Sequence, residues 1–181
     1  KALVVANHES LLDAALLGLF LPRRAWVILS QEDLAFAPNR VFARFFRHLV
    51  LDLSEPATVK RLARMLAAGE LLVIFPQGRV TTTAAAMKLY HSVATIAVRT
   101  GVTVVPVTID GLLYSNYGRV AGDFPRRRLP QVTIRIHAPT RLPEFAEVRT
   151  RMKRRMAADA LSSIMQCAAV DARRRQTLYA A

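Results

Sequence analysis

A chain of 181 residues is long enough to bury one real hydrophobic core, and 52% hydrophobic content with only 7 glycines excludes a disordered chain. The 26 Lys and Arg against 13 Asp and Glu leave a net charge of +13, a field that draws nucleic acid, an anionic membrane surface or an acidic protein. The single cysteine, Cys167, excludes an internal disulfide and a Cys-based zinc site, and no run approaches the roughly 20 apolar residues of a spanning helix.

Residues 2–6 (ALVVA) read as a buried strand, and 10–21 as a helix ended by Pro22. Residues 25–29 (AWVIL) are again strand-like. A helix is expected over 38–48, with Phe42, Phe45 and Phe46 on an apolar face and Arg40, Arg44 and Arg47 on another. A short strand follows at 49–53. The clearest helix comes next: Ser54 as its cap, Glu55 and Pro56 in the first turn, Gly69 at its end.

Residues 71–75 (LLVIF) form a near-continuous apolar run, as expected of a strand buried on both faces. A helix over 87–100 stops at Gly101, and 102–109 (VTVVPVTI) read as another buried strand. Pro106 lacks an amide donor and so marks an edge, an end or a bulge there. Residues 111–130 form the longest irregular segment, and 131–138 (QVTIRIHA) alternate as a half-exposed strand should. A basic amphipathic helix over 144–169 closes the domain. Alternating strands and helices predict one α/β domain over 1–170, with a mostly parallel or mixed central sheet flanked by helices. Residues 171–181 read as a basic tail or linker. Since the chain opens on Lys1 rather than Met, it is expected to be a piece of a longer protein. Basic clusters stand at 126–128, 149–155 and 173–175; singly each is a solvated face, together they favour an acidic partner.

The segment "NHESLLD" places His8 in a strand-to-helix turn and Asp13 in the first helical turn. Two readings are open. Ser10-x-x-Asp13 matches a capping box, which makes Asp13 a helix cap. Alternatively the carboxylate reaches back to one imidazole nitrogen, fixing the tautomer while the other nitrogen removes a proton. No Ser or Cys sits in a nucleophile-elbow setting, so the nucleophile would be a substrate hydroxyl.

"NHESLLD", "FPQGR" at 75–79 and "VVPVTI" at 104–109 occur in an order that resembles the glycerolipid acyltransferases of the lysophosphatidic-acid acyltransferase type, whose first motif is N-H-x-x-x-x-D. More narrowly, "NHESLLDAALLGLFLP", "VIFPQGRVTTTAAAMKLY" and the terminal "TLY" are similar to the acyltransferase domain of bifunctional 2-acylglycerophosphoethanolamine acyltransferases/acyl-carrier-protein synthetases. The resemblance implies a glycerol-3-phosphate-acyltransferase-like fold. It implies that His8 deprotonates the acceptor hydroxyl, that Asp13 supports His8 and that Asn7 holds the turn through its side-chain amide. Gly78 and Arg79 match the block that binds the acceptor phosphate, where a glycine admits the backbone and arginine supplies a forked donor.

Gln77 stands where the family has glutamate, which leaves natural tolerance, an engineered change or a weakened enzyme open. Leu53 stands where an arginine is common, after Asp52; Arg44 or Arg47 would replace that charge from the preceding helix, or simply form a solvated face. His48, His91 and His137 read as turn or surface residues. The resemblance implies a peripheral enzyme on the cytoplasmic face of the inner membrane. It would move an acyl chain from acyl carrier protein or a CoA thioester to a lysophospholipid, without a metal or redox cofactor. The lysophospholipid would be 2-acylglycerophosphoethanolamine, with 1-acylglycerol 3-phosphate as the competing acceptor. A lipid-binding domain without chemistry is the alternative that Gln77 and Leu53 raise. Nucleic-acid binding rests on charge alone, against 7% aromatic residues and no reading motif.

Overall fold

The computed structural model describes residues 1–82, 89–123, 125–143 and 150–179, with the side chains of 150 and 173–179 left out. Six strands form one sheet: β1 (Ala2–Ala6), β2 (Ala25–Leu29), β3 (Arg47–Val50), β4 (Leu71–Ile74), β5 (Val104–Asp110) and β6 (Thr133–Ile136). Their spatial order is β3-β2-β4-β1-β5-β6, and every pairing is parallel except that of β5 with β6. Among the described residues five α-helices lie between strands in the chain, α1 (Asp13–Phe20), α2 (Gln31–Ala35), α3 (Ala37–Phe42), α4 (Pro56–Ala67) and α5 (His91–Thr100), and α6 (Thr150–Tyr179) follows β6. The fold is a single α/β domain with a mixed sheet.

Strand periodicity of two divides the core into two clusters. Leu3 and Val5 of β1 join Leu72, Ile74 and Val104 against Leu62 and Leu66 of α4, Val93 and Ile96 of α5 and Leu161 of α6. Val4 and Ala6 join Val27, Leu29, Val73 and Ile109 against Ala14 and Leu17 of α1 and Phe46. Both faces of the central strands are covered, which is why they read as continuous apolar runs.

Pro106 sits inside the sheet, between β1 and β6, and the reason is a bulge. Val107 pairs with Ile136, but Val104 bridges Thr140, so three steps along β5 match four along its partner. The unpaired step falls opposite the missing amide of Pro106, the place where a strand loses least by lacking a donor.

Several boundaries differ from the sequence expectation. The helix expected over 10–21 begins at Asp13, because Ser10 is engaged in a bridge with Gly118. The expected 38–48 helix breaks into α3 and a 3₁₀ turn (Ala43–Phe45), and β3 starts at Arg47 rather than 49. Phe46 adopts an extended backbone there and buries its ring beneath Gly18, so tertiary packing overrides helical spacing. α2 was not expected; Ser30 and Asp33 form a full capping box that sustains its five residues. The cap of α4 is Glu55, while the Ser54 amide donates to Asp52 instead. α5 begins at His91, and the remainder of the expected 87–100 start, 87–88, lies outside the described residues, as do 144–149 of the closing helix. α6 runs on past 169 and through the 170/171 boundary to Tyr179. No described helix is long and apolar enough to cross a membrane.

A Cβ on Gly18 would fall within the Phe46 ring, since α1 lies directly on that side chain. Gly18→Val is therefore expected to destabilise the domain by about 1–3 kcal/mol through overpacking. An unchanged urea midpoint would show that Phe46 is free to move aside.

Candidate functional site

The parallel strands deliver their following loops to one edge of the sheet, where open α/β sheets bind ligands. Asn7 and His8 follow β1, Ser30–Asp33 follow β2, Asp52 follows β3 and Phe75–Arg79 follow β4. Asn7 does not clasp its own turn. Its side-chain amide donates to the Ile109 carbonyl at 2.8 Å and its oxygen accepts from the Ile109 amide at 2.7 Å, so it ties the end of β1 to β5.

His8 is 1% exposed and Asp13 is fully buried. Asp13 Oδ2 lies 2.9 Å from His8 Nδ1 and also accepts from the amides of Glu9 at 2.6 Å and Ser10 at 2.8 Å. The Ser10 hydroxyl donates to Oδ1 at 2.9 Å. Asp13 is not the cap of α1, whose cap is Leu12 without a side-chain bond; its carboxylate instead accepts from the amides of the turn and lies against the imidazole. The other imidazole nitrogen is also occupied. Nε2 lies 3.2 Å from Asp33 Oδ1, whose carboxylate comes from the capping box of α2. Phe75 stacks on the His8 ring at 4.3 Å.

The loop after β4 is zipped to the histidine turn. Gln77 Oε1 accepts from the His8 amide at 2.9 Å, and the Thr81 amide donates to the His8 carbonyl at 2.9 Å. The first bond needs an oxygen, not a charge, so glutamine serves here as glutamate would. Gly78 has φ +67°, and a Cβ there would strike the Tyr90 ring. A cavity of about 540 Å³ opens beside His8. His8, Asp33, Phe75, Gly78 and Tyr90 line it together with Glu32, Asp52 and Glu55, and among the described residues its lining holds no Lys or Arg.

Over residues 1–110 the sequence matches the Acyltransferase family. The chain belongs to this family. Its fold is similar to the crystal structure of the 1-acyl-sn-glycerophosphate (LPA) acyltransferase PlsC from Thermotoga maritima, with a TM-score of 0.57 and 24% identity over 92% of this chain. The chain covers 65% of that protein's length.

Against the acyltransferase motifs, His8, Asp13, Gln77 and Gly78 converge at the sheet edge, and Arg79 stands exposed on the same loop. Arg44 and Arg47 lie elsewhere. Arg47 opens β3 at the amino-terminal edge of the parallel strands, stacked 3.9 Å over Trp26 and 3.7 Å from Glu70. Arg44 is exposed on the 3₁₀ turn that feeds that strand. Among the other histidines, His137 pairs with Thr108 at 3.0 Å, away from the cavity lining. Asp33 and Phe75 were not singled out from sequence. The Ser30-x-x-Asp33 box was the available signal for the first, and the second is the aromatic before the Pro-Gln-Gly turn.

Burial alone would favour neutral His8, but the hydrogen bonds and charges of Asp13 and Asp33 outweigh it and push the imidazole from 6.5 up to about 9. Asp33 is also desolvated, yet its bond to His8 and those from Ser30 hold its carboxyl below the ordinary range. Glu9 goes the other way: burial, then the nearby charges of Asp13 and Asp110, raise it from 4.5 to about 8. Folding therefore takes up a proton at Glu9 between about 4.5 and 8, so that contribution is lost as pH rises through that window. The His8 contribution is fully present below 6.5 and lost as pH rises through about 9. Stability is expected to fall from weakly acid to alkaline pH, and Glu9→Gln should flatten the lower part of that slope. Urea midpoints across the range measure it, and a profile that rises above neutrality contradicts the assignment.

Proposed function

We propose that the chain is the acyl-transferring domain of a lysophospholipid acyltransferase. The observation that carries the reading is His8, held through Nδ1 by a buried carboxylate and bordering a cavity through the rest of its ring. The acceptor hydroxyl takes the place of Asp33 at Nε2 and gives its proton to His8 as its oxygen attacks the thioester carbonyl. The tetrahedral adduct then collapses with cleavage of the C–S bond, and the departing thiolate takes the proton from His8 as the free thiol. Asp13 fixes the tautomer and stabilises the transient imidazolium. Displacing Asp33 removes one of the two carboxylates that keep His8 charged, so the Nε2 proton passes to solvent as the substrate binds and the neutral imidazole is left as the base.

The cavity favours one acceptor class. Glu32, Asp33, Asp52 and Glu55 would repel a bare phosphate monoester, whereas a zwitterionic ethanolamine phosphodiester sets its ammonium among them and its single phosphate charge towards Arg79. This supports 2-acylglycerophosphoethanolamine over 1-acylglycerol 3-phosphate. The thioester is presented by acyl carrier protein or CoA, and the reaction draws on no further cofactor. The domain works at the cytoplasmic face of the inner membrane.

Labelled acyl groups followed from acyl carrier protein to the two lysolipids test this directly. Transfer should favour the ethanolamine lysolipid, fall by roughly 10²–10⁴-fold in His8→Ala, and change little in Gln77→Glu. Asp33→Asn should shift the acid limb of kcat/KM to lower pH by about one unit or more. Transfer that survives His8→Ala removes the base. A limb that stays in place removes the role given to Asp33. Binding of lysolipid without transfer, by folded protein, would favour the non-catalytic reading.

A further inference from the structure

α1 is an unusual surface helix. After Asp13 it carries no polar side chain up to its end, "AALLGLFL" over 14–21. Ala14, Ala15, Leu17 and Gly18 are buried against the sheet layer. The opposite face, where a water-facing helix carries polar residues, instead presents half-buried Leu16 with Leu19 at 46% and Phe20 at 74% exposure. These three stand at i, i+3 and i+4 and so share one face. α1 packs against α3 and the 3₁₀ turn, and both add apolar side chains in water: Val41 at 54% and Phe45 at 65% exposure.

The charges on these segments have one sign. Residues 14–31 and 34–51 contain no Asp or Glu, yet hold Arg23, Arg24, Arg40, Arg44 and Arg47, all exposed. Exposed apolar side chains on segments whose charges are all arginine are the pattern of a surface that settles into a lipid interface, with large side chains below the headgroups and guanidinium groups among them. A second copy of the chain would set two groups of arginines against each other.

We infer that the Leu19, Phe20, Val41 and Phe45 surface, with Arg23, Arg24, Arg40 and Arg44 around it, docks the domain onto an anionic lipid bilayer. The surface deepens the reading of a lysophospholipid substrate and rests on it for its purpose. Its test does not require turnover. α1 starts at Asp13, so the helix that holds the site also carries the docking side chains at its other end. Lipid entry and the catalytic turn are then fixed relative to each other by one rigid element.

The experiment is sedimentation of the 181-residue chain with phosphatidylethanolamine/phosphatidylglycerol vesicles and with phosphatidylcholine vesicles. Acyl transfer to a short-chain, water-dispersed lysolipid is measured alongside. The chain should bind the anionic vesicles, less so at high salt. Arg23→Gln with Arg24→Gln should weaken binding roughly 30-fold, at about 1 kcal/mol for each arginine. Phe20→Ser with Phe45→Ser should weaken it by about tenfold or more and leave the remainder more salt-sensitive. Transfer to the dispersed acceptor should be unchanged in both variants.

Equal vesicle binding by the variants and the parent chain overturns the proposal. So does a dimer of the parent chain that Phe20→Ser with Phe45→Ser converts to monomer. Loss of transfer from acyl carrier protein but not from CoA thioesters in the arginine variant would assign the surface to the carrier and also overturn it. Vesicle binding that depends on these residues, in a chain that transfers nothing, would keep the surface and retire the enzymatic reading.

Discussion

The arrangement of the site depends on one oxygen. Asp13 Oδ2 collects the His8 Nδ1 proton and the amides of Glu9 and Ser10, so the turn between β1 and α1 and the orientation of the imidazole are a single structure. A buried carboxylate is costly unless it is fully hydrogen-bonded, and here the backbone itself supplies part of that compensation. The helix cannot shift without uncapping the turn, and the turn cannot open without releasing the histidine.

Around that oxygen the imidazole is held from every side. Asp33 meets Nε2, Phe75 stacks on the ring, and Gln77 and Thr81 fasten the main chain of His8 to the loop after β4. Two carboxylates outweigh desolvation and keep the imidazole cationic. The described arrangement is therefore a closed one, in which the group that would act as base is already satisfied. On the proposed reading, a substrate hydroxyl that displaced Asp33 would meet a histidine whose other nitrogen keeps its partner, which is the preorganisation that proton transfer requires.

Charge is distributed against the average. A chain with a net +13 places Glu32, Asp33, Asp52 and Glu55 around the cavity and exposes Arg23, Arg24, Arg40 and Arg44 on the segments that carry Phe20 and Phe45. On the proposed reading, long-range attraction to an anionic partner and local selection within the cavity are opposite in sign, so one domain would be drawn to a surface and still discriminate among the headgroups found there.

Local sequence was sufficient for the strands β1, β2, β4 and β5, because apolar runs buried on both faces leave no other reading, and for the convergence of His8 with Asp13, because a five-residue separation around one turn leaves the two side chains within reach. Gly101 ending α5 and the irregularity at Pro106 were equally legible, since each follows from one residue's own backbone limits. The sequence could not indicate that Asp33, 25 residues from His8, returns to its second nitrogen, that Asn7 bonds across to Ile109 rather than within its turn, or that Arg47 stacks on Trp26 far from the cavity. Nor could helical spacing at 38–48 reveal that Phe46 leaves the helix to fill the space beneath Gly18. The sequence by itself determined the doubly buried strands and the histidine turn, where the decisive forces act within a few residues. Only the tertiary structure decided the second carboxylate, the acid-lined cavity and the exposed apolar face, because sheet order sets which loops meet at an edge and which helix faces remain uncovered.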